Sequence, residues 1–153
     1  MKKSRLYTAL LSLSLTATTF VACGVDLETS GNGDLDGLWH MTAVDTIATG
    51  GVKDLSKTKL FWAFQKDLLD IHDADSMKYH YLLRFHHAGA LLLVNQPHFY
   101  DRLNPQGDVP MTDSTELKPF GINHLEERFT VLHLGSGSMM LSTDSLIISF
   151  KKL

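Results

Sequence analysis

From Gly37 onward the chain alternates apolar and polar positions in short runs, broken by glycine, aspartate and serine. The clearest run is MKYHYLLRFHH, residues 77–87. It sets Tyr79, Tyr81, Leu83 and Phe85 on one face, and Lys78, His80, Arg84 and His86, with Leu82, on the other. A period of two predicts a half-buried strand. Residues 38–47 mix apolar, aromatic and β-branched side chains, and 59–72 form one long apolar-aromatic run. Residues 90–95 follow Ala88-Gly89, a dipeptide suited to a tight turn. The end reads as a meander: 128–134, a GSGS turn, 139–144, then 145–152. Short strands separated by turns predict an all-β fold, an antiparallel barrel or sandwich.

All four prolines (97, 105, 110 and 119) fall between residues 97 and 119. Proline cannot donate to a sheet ladder, so this stretch is expected to lie mostly outside central strands. Asp113 with Glu116, and Asn123 with Glu126, have capping-box spacing. They predict short helical turns near 114–118 and 123–127. The loop from about 96 to 112 is long for a compact domain, and such loops are often lids or binding elements.

With 153 residues, 44% hydrophobic and 20% charged, the chain is sized for one domain with a proper core. Its net charge of −3 gives no basic patch for phosphate neutralisation, so nucleic acid is not expected as a partner. The charge is uneven, however. Residues 1–22 carry Lys2, Lys3 and Arg5 and no acid; the remainder holds 11 basic against 17 acidic residues, or −6.

That basic start, MKKSR, leads into the apolar and small-residue run LYTALLSLSLTATTFVA, which is the layout of a secretory signal peptide. The run is too short and too rich in Ser and Thr for a membrane-spanning helix, which needs about 20 predominantly apolar residues. The sequence FVAC, 20–23, resembles the lipobox of bacterial lipoproteins, with Phe20 in place of the usual Leu. The resemblance implies cleavage before Cys23 and lipidation of its sulfur, which also accounts for a single cysteine with no disulfide partner. Two or more acyl chains, at about 0.8 kcal/mol per buried CH₂, give stable attachment to a membrane. Residues 23–36, Gly- and acid-rich, read as a flexible tether. Asp26 and Glu28 resemble a surface-export signal of some gut Gram-negative lipoproteins.

The domain 37–153 opens with Gly37-Leu38-Trp39, which resembles the G-x-W signature on the first strand of the lipocalin superfamily. The resemblance implies an up-and-down β-barrel of about eight strands. It further implies that Trp39 closes the barrel base and that a basic residue of the last strand, Lys151 or Lys152, packs over it. Leader, tether, G-x-W and basic last strand together resemble the small lipocalin-like lipoproteins of gut Gram-negative bacteria. That implies an address in the outer membrane, facing the periplasm or the cell surface.

Eight histidines raise the question of a metal. His80 and His86 share a face but stand roughly 20 Å apart at about 3.3 Å per residue, too far for one zinc ion. His86 and His87 point to opposite faces, which leaves a cross-strand pairing of His87 with His98. Asp73 and Asp75 have calcium-loop spacing, but Met77 stands where an oxygen ligand is needed. HDADS reads more simply as a hairpin turn. GSGSM at 135–139 lacks the final glycine of a nucleophile elbow. No metal, cofactor or catalytic residue is therefore expected, and the protein is not expected to be an enzyme.

The segment QPHFYDRLN, 96–104, carries Phe99, Tyr100 and Arg102, residue types enriched at interfaces. The leading expectation is a lipid-anchored envelope protein whose barrel holds a small apolar or amphipathic ligand. Tyr79, Tyr81 and Phe85 would line the barrel, with Phe99, Tyr100 and Arg102 at its rim. The alternative is a non-enzymatic interaction subunit with a filled barrel, docking another envelope protein through the 96–112 loop. In either case Cys23→Ala is expected to move the protein from the membrane to the soluble fraction on cell fractionation. Unchanged membrane association would overturn the lipoprotein reading.

Overall fold

The computed structural model describes residues 30–153, so the leader and Cys23 lie outside the described residues, as do Asp26 and Glu28. The strands are β1 (Gly37–Thr46), β2 (Gly51–Asp54), β3 (Leu60–Gln65), β4 (Leu68–Asp73) and β5 (Ser76–Ala88). They continue as β6 (Leu91–Phe99), β7 (Val109–Pro110), β8 (Glu127–Leu134), β9 (Ser138–Ser142) and β10 (Leu146–Lys152). β2 and β3 pair with successive halves of β1, so together they act as one interrupted strand. β7 is a two-residue addition to β6, and β10 pairs back onto β1. The result is a closed antiparallel barrel of eight strands in up-and-down order: the strand pattern predicts a barrel or sandwich, and the G-x-W resemblance implies this barrel.

Closure leaves no open sheet edge and forces successive connections to alternate between the two ends. At one end lie the turns 66–67, 89–90 and 135–137, together with the N-terminal segment. At the other lie the turns 47–50, 74–75 and 143–145, and the long connection 100–126.

The sequence reading missed one of these turns. Residues 59–72 form two strands, not one run, because Lys66 adopts a positive φ of 57° and the chain reverses at Lys66-Asp67. A non-glycine residue in that region gives no sequence signal. The helical turn expected near 114–118 is a 3₁₀ turn at Thr115–Phe120, closed by Gly121 at φ 79°. The turn expected at 123–127 is absent. There the Glu127 carboxylate accepts the amides of Asn123 and His124, and β8 begins at once. The Asp113/Glu116 box is half formed: Asp113 accepts the Thr115 amide, while Glu116 points elsewhere. β6 also runs past Pro97 to Phe99, with Gln96 at φ 50° marking a bulge, so the irregular loop spans only 100–108.

The first end is closed as the G-x-W resemblance implies. Trp39 is wholly buried and its indole N–H donates to the Leu35 carbonyl at 2.8 Å. Lys152, not Lys151, lies over the ring at 5.0 Å and donates to the Asp34 carbonyl at 2.8 Å. Gly37 sits at φ 115°, and a Cβ there would press to 3.0 Å from Lys152 Cε. The positive φ favours glycine, and any side chain there would also have to displace the lysine stem. Leu35, in the segment expected as tether, is a core residue within a 3₁₀ turn at Gly33–Leu35. Burial raises the Asp36 carboxyl, but hydrogen bonds from Ser30 and Asn32 and the Lys152 charge outweigh it and hold Asp36 below its ordinary range.

Lys152→Met keeps the stem but removes the charge over Trp39 and the bond to Asp34. It is expected to cost about 0.5–1.5 kcal/mol in urea unfolding. Lys151→Met, on an exposed side chain, should change stability by less than about 0.5 kcal/mol. Equal effects would overturn the assignment of Lys152 as the closing residue.

Candidate functional site

The register of β1, β3, β4, β5 and β6 builds one row of side chains inside the barrel and another outside it. The inner row is Trp39, Trp62, Ile71 and Tyr81, each the direct cross-strand partner of the next, and Phe99 pairs with Tyr81 at the rim. Trp39, Trp62, Ile71 and Tyr81 have no exposed surface, and Phe129 and Phe120 complete the packing. Burial of each large side chain contributes about 1.5–3 kcal/mol. A residue without surface has no neighbouring space large enough for a water molecule, so these side chains fill the interior.

The second end, where a barrel of this kind would open, is also filled. Leu117 and Phe120 of the 3₁₀ turn and Ile122 beyond it are wholly buried, and Met111 packs with them. Two contacts fix this plug. Tyr81 donates its hydroxyl to the Glu116 carboxylate at 2.6 Å. Gly121 leaves room for Ile148, whose Cδ1 would lie 2.2 Å from a Cβ at that position. Burial, followed by the bond to Glu116, pushes the Tyr81 hydroxyl well above the usual tyrosine range.

Of the residues expected to line a ligand cavity, Tyr81 and Phe85 do point inward but are packed as core. Phe85 meets Phe64 edge-on at 5.0 Å. Tyr79 is half-buried against the same core. Phe99 belongs to β6 rather than to a loop, and is 37% exposed with an edge contact to Tyr81 at 5.9 Å. A cleft of about 260 Å³ is bordered by Leu82, Arg84, Gln96, His98 and Asp108 among others. It falls below the roughly 300–1,000 Å³ usual for small-molecule sites.

The outer row runs His40, Phe61, His72 and His80, again in direct cross-strand register. Tyr100 extends it, stacked on His80 with ring centroids 3.8 Å apart, and Arg102 lies over Tyr100 at 4.7 Å. Phe61 packs between His40 and His72 at 5.3 and 5.5 Å. Asp70, two residues before His72 and on its face of β4, bridges both imidazoles. His72 Nδ1 and His80 Nε2 each lie 2.8 Å from one of its oxygens. One ligand atom from each of these three residues falls within 4.8 Å of the others. The pairing of His87 with His98 does not form, because His87 faces Leu92 and His98 faces Leu82. Asp73 accepts the Asp75 amide, the hairpin turn that HDADS predicts.

The loop beside this row is tied to itself. Asp101 accepts the amides of Leu103 and Asn104, and Asp108 accepts that of Asp101. Leu103 is held out at its tip, 95% exposed, and the cross-strand pair Phe99 and Val109 that flanks the loop is partly exposed.

A family model described as a lipocalin-like domain matches residues 18–153. The chain belongs to the lipocalin-like domain family. Two solved structures share the fold of this lipocalin-like domain. A lipocalin-like protein from Bacteroides uniformis ATCC 8492 is 21% identical, at a TM-score of 0.59 over 79% of this chain and 100% of that one. An uncharacterized protein from Bacteroides eggerthii DSM 20697 is 14% identical, at 0.53 over 78% and 99%. No curated protein matches the sequence.

The Tyr81–Glu116 bond should make the plug sensitive to alkali. A tyrosine whose folded pKa is raised adds stability that is complete below its ordinary 10.0 and is lost as pH rises toward the folded value. Tyr81→Phe is expected to cost about 1–2 kcal/mol at neutral pH. Above pH 10 the difference between the two proteins should shrink in parallel denaturant titrations. A constant difference across that range would show that the hydroxyl does not titrate with folding.

Proposed function

We propose that the protein is a lipid-anchored, lipocalin-like binding protein of the cell envelope that engages its partner on the outside of the barrel. The partner is another envelope protein, docked on the 100–108 loop and its flanking strands. One observation carries the reading: the barrel is filled by Trp39, Trp62, Tyr81, Phe120 and Phe129, all without exposed surface. A barrel of eight strands either packs its interior with side chains or holds one small ligand, and this one is packed.

The outer surface supplies what the interior lacks. Leu103, Phe99 and Val109 are exposed apolar side chains on the loop and its flanking strands, and the loop also carries Tyr100 with Arg102 over its ring. That combination, exposed apolar side chains with Tyr and Arg, is typical of the energetic centre of protein interfaces. The self-bonded loop holds these groups in place before binding, which lowers the ordering cost of association. The lipobox-like FVAC and the basic leader support the envelope address.

The test has two readouts on one preparation. A fatty acid titrated against the intrinsic fluorescence of Trp39 and Trp62 should give a flat response. In cross-linking on intact cells, Leu103→Asp should abolish the adduct that the unaltered protein forms. Val52→Asp, at an exposed apolar position on β2, should preserve that adduct. Saturable quenching by the fatty acid, or an adduct indifferent to Leu103, would overturn the proposal.

A further inference from the structure

Nothing in the docking role uses Asp70, His72 and His80, and their geometry points to a different chemistry. We propose that these three side chains form a binding site for a divalent transition-metal ion of the zinc class on the outer wall of the barrel. Two imidazoles and one carboxylate are the ligand types that zinc accepts, whereas calcium and magnesium require oxygen donors.

The backbone delivers the three donors together. Asp70 and His72 are two residues apart on β4 and share its outer face, and His80 is the direct partner of His72 on β5. A single hairpin therefore supplies the whole set, closed by the turn at 74–75. The donor atoms already crowd one another, at 2.8 Å from each imidazole nitrogen to an Asp70 oxygen. Tetrahedral zinc with bonds of about 2.1 Å needs donors about 3.4 Å apart. The two imidazoles meet different Asp70 oxygens and the three donor atoms lie within 4.8 Å of one another, so side-chain rotation is what gathers them around one ion. For binding, each imidazole carries its proton on the ring nitrogen away from Asp70 and turns the bare nitrogen to the ion.

The rings are also held from the sides. Phe61 packs against His72, and Tyr100 stacks on His80 within 12° of parallel. These contacts limit ring rotation, and a ligand set whose rotamers are fixed loses less freedom on binding. The side chains of Asp70, His72 and His80 keep 29%, 30% and 25% of their surface, enough for an ion to enter and for water to take the fourth position.

The measurement is isothermal titration of untagged, full-length protein in detergent with zinc chloride. Saturable one-to-one binding is expected, weakened at least about tenfold by His80→Ala and by Asp70→Asn. His86→Ala and His133→Ala should leave the affinity unchanged. Asp70→Asn is nearly isosteric and leaves the barrel interior untouched, so it decides the matter if a histidine variant fails to fold. Cobalt(II) in place of zinc should give visible absorption bands of a tetrahedral site, lost in the same variants. An absence of saturable zinc binding, affinity indifferent to Asp70 and His80, or displacement by equimolar calcium would each overturn the proposal.

Discussion

Because a strand's side chains alternate with a period of two, the register fixed by the short turns at 66–67 and 74–75 governs both rows of the barrel wall. A slip of one residue between β3 and β4 would set Trp62 opposite His72, so that either Trp62 turned to solvent or His72 entered the core. The inner row makes that slip costly, since Trp62 sits edge-on to Phe129 and Phe150 at 5.6 and 5.2 Å. The outer row gains its order from the same constraint at no separate cost. His40, Phe61, His72 and His80 are neighbours only because Trp39, Trp62, Ile71 and Tyr81 are.

The two ends of the barrel are closed by different means. At one, the Trp39 indole, the Leu35 carbonyl and the Lys152 ammonium interlock the N-terminal turn with the last strand. At the other, a segment between β6 and β8 folds inward and seats Leu117, Phe120 and Ile122 over the core. Glycine is favoured in both, at positions 37 and 121, where a side chain would meet Lys152 or Ile148. A barrel stoppered at both ends gains stability from its interior.

The strands were legible in the sequence because alternation is a local signal and the long run 77–87 shows it plainly, whereas the up-and-down order came from the G-x-W resemblance. Trp39 and a basic partner on the last strand could be anticipated from the G-x-W resemblance, although which lysine it would be could not. What stayed hidden depends on pairing. Reading 59–72 as one run concealed the β3–β4 hairpin, and with it the juxtaposition of Asp70, His72 and His80. Distances along one strand dismiss His80 and His86 correctly but say nothing of a partner across the ladder. A D-x-H on one arm of a hairpin and a histidine on the other was the available clue, usable only once the turn at 74–75 had fixed the register. Tyr81 and Phe85 carried the opposite difficulty. Their inward direction was readable, but whether they bordered space or other side chains depended on Phe64 and Phe120, which come from elsewhere in the chain.

The outer row and the loop are mechanically one unit, and this links the two proposals without making either depend on the other. Tyr100 begins the loop, donates its backbone N–H to the His80 carbonyl and stacks on the His80 ring. Arg102, one residue before the exposed Leu103, rests on the opposite end of that stack. The plane of the His80 ring is therefore felt at the loop tip through two successive contacts, each worth about 0.5–1.5 kcal/mol. An ion that fixed His80 would tighten Tyr100 and the arginine above it, and so would narrow the range of positions open to Leu103. If the loop docks a partner while the hairpin holds a metal, the coupling between them must run both ways, because linkage is reciprocal.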